Sequence, residues 1–387
     1  MKKMFFIAAF IVLLGSFAFG KDYLKAGNRY LPGLFDFSEA ENIEFRFEKD
    51  ILDIRLFKKS NRLNLQILAG DGCIYEGSID KNKEISLSKR EECEDNHKNF
   101  ISTQRAVYEG NSLFVDYDGY LKFSGDKLDS TGIPALPDAQ IVTYSRFAVV
   151  PVFPTKIYRH GALGDSIEAK GFLIFDMKKG EITKTVRLAG SNVIEQRMLI
   201  LTDINKNSLP EIIATVSNPK NGASVVVYNI DGGEIYRSKP IGRGFRWRHV
   251  FAAASFDGEN TEIINVVTPH IGGKLQFLGV RNNSLIQTAA FAPVSSHRIG
   301  SKKLGMGLVV DFDGDALAEV IVPDTTHKKL LVIKKFGEKT EKIHEIGLNS
   351  NLCTNITGYA DNSGVKALVF ATCNGTVYIY KAGMHKT

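Results

Sequence analysis

The sequence predicts an all-β chain folded as a β-propeller. Three observations carry this expectation. Short β-branched and aromatic runs are bounded by Gly, Asn and Asp turns, no amphipathic stretch of about 12 residues follows the N-terminal leader, and one segment grammar recurs roughly every 50 residues. With 387 residues, 44% hydrophobic and 24% charged, the composition is that of a folded protein and excludes wholesale disorder. Eleven prolines against 35 glycines, without a Gly-x-y period, exclude a proline-rich stalk and collagen. The net charge of +6 is mild and evenly spread, which argues against nucleic acid as a partner.

The leader comes first. Lys2 and Lys3 precede an apolar run from Met4 to Phe19, and Ala18-Phe19-Gly20 places small residues at the −3 and −1 positions of a cut before Lys21. This is the tripartite form of a secretory signal peptide over residues 1–20; an uncleaved anchor is the competing reading. No later stretch approaches about 18 continuous apolar residues, so the mature chain, 21–387, is expected to be exported without a membrane span, in the periplasm, at the cell surface or secreted, as a monomer. In an oxidising compartment four cysteines favour disulfides. Cys73 and Cys93 are 20 residues apart, as are Cys353 and Cys373, so local pairing is the simplest of three connectivities. Free buried thiols are the alternative; zinc is disfavoured because no Cys-x-x-Cys spacing occurs.

Strand-like runs then follow one another at 43–47, 63–68, 112–117, 171–175, 223–228, 330–333 and 376–380. The turns Met177-Lys-Lys-Gly-Glu and Asn229-Ile-Asp-Gly-Gly-Glu carry glycine where a hairpin needs positive φ. Segments beginning at Asp203, Ser255, Asp311 and near Ala360 share a pattern of acidic turn, strand and hairpin, spaced by 52, 56 and about 49 residues. A period near 50 with several strands per unit marks propeller blades, and the length of the mature chain then corresponds to seven. The alternative boundary is an N-terminal β region over 21–140, linked through Pro134 and Pro137 to a repeat region over 141–387.

The most specific signal is the spacing Asp311, Asp313, Asp315, Glu319, with Gly314 relaxing the turn. Alternate oxygen-bearing side chains in a tight loop can converge on a hard cation, and calcium takes roughly six to eight oxygens. The last acid falls at position nine and leads into a strand, unlike an EF-hand. The loops resemble the FG-GAP/VCBS repeats of the integrin α-subunit propeller and of many exported bacterial proteins, whose pattern is Asp-x-Asp-x-Asp-Gly-x-x-Asp/Glu. The resemblance implies a propeller and Ca2+ held by Asp311, Asp313, Asp315, the Leu317 carbonyl and Glu319, and by Asp203, Asn205, Asn207, the Leu209 carbonyl and Glu211. It implies no activity. The copy at 255–262 lacks one residue and the copy at 361 offers one acid, so neither is expected to hold metal.

Two further clusters stand out. Arg243, Arg246, Trp247, Arg248 and His249, with His270, can line one mouth of a ring and meet an anionic partner, or can pack between blades. Tyr158-Arg159-His160 precedes Asp165 and Glu168, a setting for a general base that chance alone also produces. Gly-x-Ser-x-Gly, His-Glu-x-x-His, Gly-x-Gly-x-x-Gly and the Walker loop are absent. The expected function is a non-catalytic, calcium-binding binding or assembly module of the bacterial cell envelope, with an envelope protein or glycan as partner. The alternative is a carbohydrate-active enzyme, a polysaccharide lyase or hydrolase of propeller fold.

Overall fold

A computed structural model describes residues 27–382 apart from 61, 80–84, 91–92, 94–104, 117, 125–127 and 362–363. The expected signal peptide lies outside the described residues. Among the described residues, antiparallel hairpins between sequence neighbours build six sheets. The first holds Ile51–Lys59, Arg62–Ala69, Ile74–Ser78 and Ser88–Lys89; the second holds Arg105–Tyr108, Asn111–Val115, Tyr120–Ser124 and Leu128–Pro134. The third has nine strands and consists of two four-stranded meanders. These are Val142–Tyr144 to Glu181–Arg187 and Ile200–Thr202 to Glu234–Arg237, stitched by the short strand Val193–Ile194. The fourth runs from Arg248–Ser255 through Thr261–Val267 and Lys274–Arg281 to Ser284–Phe291. The fifth runs from Leu308–Asp311 through Glu319–Pro323 and Lys329–Phe336 to Lys339–Gly347, and the sixth contains Thr357–Asp361, Gly364–Ala371 and Thr376–Lys381.

The burial of each strand follows its place in its sheet. Glu211–Asn218 and Gly222–Tyr228 are buried on both faces and read as continuous β-branched runs, whereas the outer strand Glu181–Arg187 is largely solvated. Apolar clusters join neighbouring sheets along the chain from the second onward, with Leu113 and Leu121 packing against Val150 and Phe172. Ile213 and Val225 pack against Val250 and Ile263, Phe251 and Phe277 share a cluster with Val320 and Ile333, and Leu308 and Val310 share one with Phe370.

The last sheet is joined to the first in the same way. Val369 and Ile379 pack with Ile54 and Leu65, so the two ends of the chain meet. The N-terminal region completes that closure. Glu41–Arg46 pairs antiparallel with Thr376–Lys381 as the fourth strand of the last sheet, and Tyr30–Leu34 pairs parallel with Leu308–Asp311. The latter strand needs Gly33 at φ 101, where its position meets the backbone of Gly364; a Cβ there would lie 2.9 Å from the Gly364 Cα. The alternative boundary near residue 140 finds no break in packing, because Leu113, Leu136 and Val150 belong to one buried cluster. The cysteines pair locally, Cys73 with Cys93 and Cys353 with Cys373.

Candidate functional site

In a meander, first-to-second strand turns lie at one end of the sheet, and second-to-third turns lie at the other with the links to the next sheet. The acidic turns 203–210, 256–260 and 312–318 therefore share one end, while 156–167, 238–247, 268–273 and 292–307 share the opposite end.

The four loops at that opposite end touch one another. Thr268 N–H donates to the Trp247 carbonyl at 2.9 Å, and Gly300 N–H to the Ala162 carbonyl at 3.0 Å. Phe245 packs on Tyr158 and on the His160 ring, with centroids 5.1 and 5.4 Å apart. The two clusters singled out in the sequence, 158–168 and 243–249 with His270, are thus one site.

Its inner layer is sealed. Trp247, Arg248 and His249 are buried, which corrects the expectation that they face a ligand. Trp247 stacks on His249 and His270 and donates its indole N–H to the Glu195 carbonyl at 2.9 Å. Arg248 spends its guanidinium on Gln276 Oε1 at 2.8 Å and on the carbonyls of Ala223 and Lys239. His297 Nε2 faces the Ser301 carbonyl at 2.9 Å, so it carries the proton and its Nδ1 accepts from His270 Nε2 at 2.8 Å. Burial lowers both histidines, His270 to about 4 with His160 and His327 nearby, and His297 to about 3 with His270, His327 and Arg197 nearby.

His160 does not meet Asp165 or Glu168 through its ring; Nδ1 contacts Glu195, which also accepts from the Ser217 hydroxyl. Glu168 is buried, and its carboxyl is pushed up to about 10 by desolvation, with Glu195, Asp165 and Asp138 adding to the effect. Nothing in the sequence marked Glu195, Ser217, Ser296 or His297. They come from separate strands and loops, and their only signal is that they are polar residues beside apolar runs.

A nucleophile needs a base within reach and an open path to substrate. Ser296 Oγ lies 2.8 Å from His249 Nδ1, but both are fully buried and burial pushes His249 well down from its ordinary value. The pair is a buried core contact with no open path to substrate. A shallow depression of about 360 Å³ lies elsewhere, lined by Pro134, Phe153, Pro154, Thr155, Lys170 and Arg187. Its Lys170 is committed to the carbonyls of Gly190 and Asn192.

The outer layer is open and has one character. Ile157, Phe245, Ile271 and Ile299 are 49%, 55%, 81% and 73% exposed, one from each loop. On the same loops Lys156, Arg159, Lys239, Arg243, Arg246 and Arg298 are exposed. Asp165 is the one acid on these loops, and it pairs with Lys302.

At the acidic end, the two expected metal loops share a backbone. Positive φ falls at the fourth and sixth positions of both, at Lys206 and Ser208 and at Gly314 and Ala316. In the 203–211 loop the Asp203 oxygens accept from Asn207 and Ser208 N–H, and Glu211 accepts from Ile204 N–H and from the Asn205 amide. In the 311–319 loop, one oxygen each from Asp311, Asp313 and Asp315 comes within 4.8 Å of the others, a group able to hold a metal. Lys334 Nζ, however, lies 2.5 Å from Asp313, 2.7 Å from Asp315 and 3.1 Å from Glu319. Three of the four carboxylates expected to hold calcium here face an ammonium.

No known family profile and no curated protein matches this chain. Among solved structures it is similar to BBS1N in the crystal structure of its complex with ARL6DN, at a TM-score of 0.51 and 10% identity over 92% of this chain and 99% of that one. It is also similar to Raptor from Chaetomium thermophilum, at 0.50 and 10% over 94% of this chain and 30% of that one. BamB from Moraxella catarrhalis aligns at 0.43 with 10% identity, over 88% of this chain and 99% of that one. At such identity the likeness is one of fold. The chain is an all-β protein of the β-propeller class.

Proposed function

We propose that this chain is an exported, non-catalytic binding or assembly propeller that docks an acidic, apolar-anchored protein segment on its long-loop end. The observation that carries this reading is the outer layer just described: four exposed apolar side chains and six exposed cations on the same loops, with the one acid of those loops already paired. Contiguous exposed apolar surface is uncommon without a partner, and arginine with aromatic groups dominates recognition hot spots. The isoleucines need an aliphatic or aromatic counterpart, which favours a protein segment over a glycan. Two disulfides support an oxidising compartment and hence export to the periplasm, cell surface or medium. The reading of seven blades is supported by the two meanders within the nine-stranded sheet.

The test is binding of the mature chain to a library of acidic peptides with a central Leu, Ile or Phe, beside anionic polysaccharides. Wild type should select acidic-apolar peptides with a salt-dependent affinity. Phe245→Asp and Ile271→Asp should each weaken binding by at least about tenfold, with melting temperature unchanged for Ile271→Asp, whose side chain is 81% exposed. Selection of polysaccharide alone, or indifference to both substitutions, would sink this reading.

A further inference from the structure

We propose that Lys334 is a tethered cation that takes the place of calcium in the 311–319 loop. Four carboxylates within nine residues repel one another unless a cation joins them. An ammonium has three N–H donors and no acceptor, and Lys334 directs its Nζ at three carboxylates, those of Asp313, Asp315 and Glu319. Asp311, the fourth, is satisfied by the backbone, with Oδ1 accepting from Gly314 N–H at 2.9 Å and Oδ2 from Ala316 N–H at 3.0 Å. The Lys334 side chain is 7% exposed and that of Glu319 0%, so this pair is internal, while Asp313 and Asp315, at 36% and 44%, close it off from the surface side. Calcium would need most of the same oxygens at roughly 2.3–2.6 Å, in the volume the ammonium holds.

Strand register explains why a lysine arrives there. Val320 is opposite Ile333, which puts Lys334 beside Glu319, the ninth residue of the loop. The same register puts Asn229 beside Glu211 and Gly279 beside Glu262. Asn229 is used within its own hairpin, accepting from Gly233 N–H, and Glu211 is met by the donors of its own loop. Gly279 brings no side chain, and the cation for Glu262 comes from the adjoining sheet. Lys335 Nζ lies 3.1 Å from Glu262 Oε2, with both side chains buried. Successive residues of one strand point to opposite faces, so Lys334 and Lys335 serve the terminal glutamates of two neighbouring sheets from a single strand. The loop pattern that reads as metal-binding is retained, while the counter-charge is carried by the chain.

The experiment compares melting temperature in millimolar calcium and in chelator. Wild type should melt at the same temperature in both and give no calcium-binding isotherm. Lys334→Met keeps the apolar stem and removes the charge. In chelator it should melt roughly 5 °C lower than wild type, and calcium should restore most of that loss. Adding Asp313→Asn and Asp315→Asn to Lys334→Met should restore stability without calcium, which keeps the idea testable if the single variant folds poorly. Calcium stabilisation of wild type, a loss in Lys334→Met that calcium leaves untouched, or no gain from the two asparagines would each overturn the proposal.

Discussion

Glu168 shows how one buried side chain sets the pH response of the long-loop end. Its folded pKa of about 10 is raised above that of an unfolded carboxyl chiefly by desolvation. The stability linked to this group is therefore fully present below about pH 4.5 and is lost progressively as pH rises towards 10. Glu168→Gln should melt with wild type in mild acid and several degrees above it at mildly alkaline pH. Thermal melts across pH check this, and parallel profiles for the two proteins would disprove the buried-acid account. His270 and His297 work in the opposite sense. Their folded values of about 4 and about 3 lie below the ordinary one, so their contribution is present above about pH 6.5 and fades as pH falls. Histidine was visible in the sequence as a residue type; its neutrality is a product of the surrounding Trp247 and neighbouring rings.

At the scale of the element, the acidic turns are the most legible part of the chain. Their spacing announced a repeat, and the structure gives the 203–211 and 311–319 loops the same left-handed positions. Glycine occupies one of these, Gly314, but Ala316 holds φ 70 with a Cβ that this region disfavours. Ala316→Gly should therefore be neutral to stabilising, by up to about 1 kcal/mol, despite the entropy that glycine adds to the unfolded chain. Denaturant midpoints measure it, and a clear loss would mean that the alanine methyl is needed for packing. What spacing could not convey is the occupant of the loop. Lys334 is 15 residues beyond Glu319 in sequence and reaches it only through strand register. The 243–249 cluster divides for a similar reason. Strand Arg248–Ser255 carries its first residues into the ring, with Trp247 just before it, and leaves Arg243, Phe245 and Arg246 outside.

The whole molecule depends on joining its two ends. Glu41–Arg46 completes the last sheet, Ile43 packs in the cluster that joins that sheet to the first, and Asn28 and Arg29 are buried between the fourth and fifth sheets. Asn28 exchanges hydrogen bonds with the Ala253 backbone, and Val309 N–H donates to the Arg29 carbonyl at 2.8 Å. A chain beginning at residue 48 should lose cooperative unfolding and self-associate through the uncovered 376–381 edge, as seen by calorimetry and light scattering. A single sharp transition in a monodisperse sample would show that the closure is dispensable. The first 120 residues were the least legible part, because their turns lack the acidic signature, yet their strands obey the same hairpin order. Strand periodicity, the repeat length near 50 and the cysteine spacing are local properties, and they suffice for an all-β propeller with locally paired disulfides. The ring partner of residue 41, the ammonium in the acidic loop and the loop end that carries exposed apolar side chains and cations join groups far apart in the chain. No local pattern encodes those meetings; only the closed stacking of sheets brings them within contact.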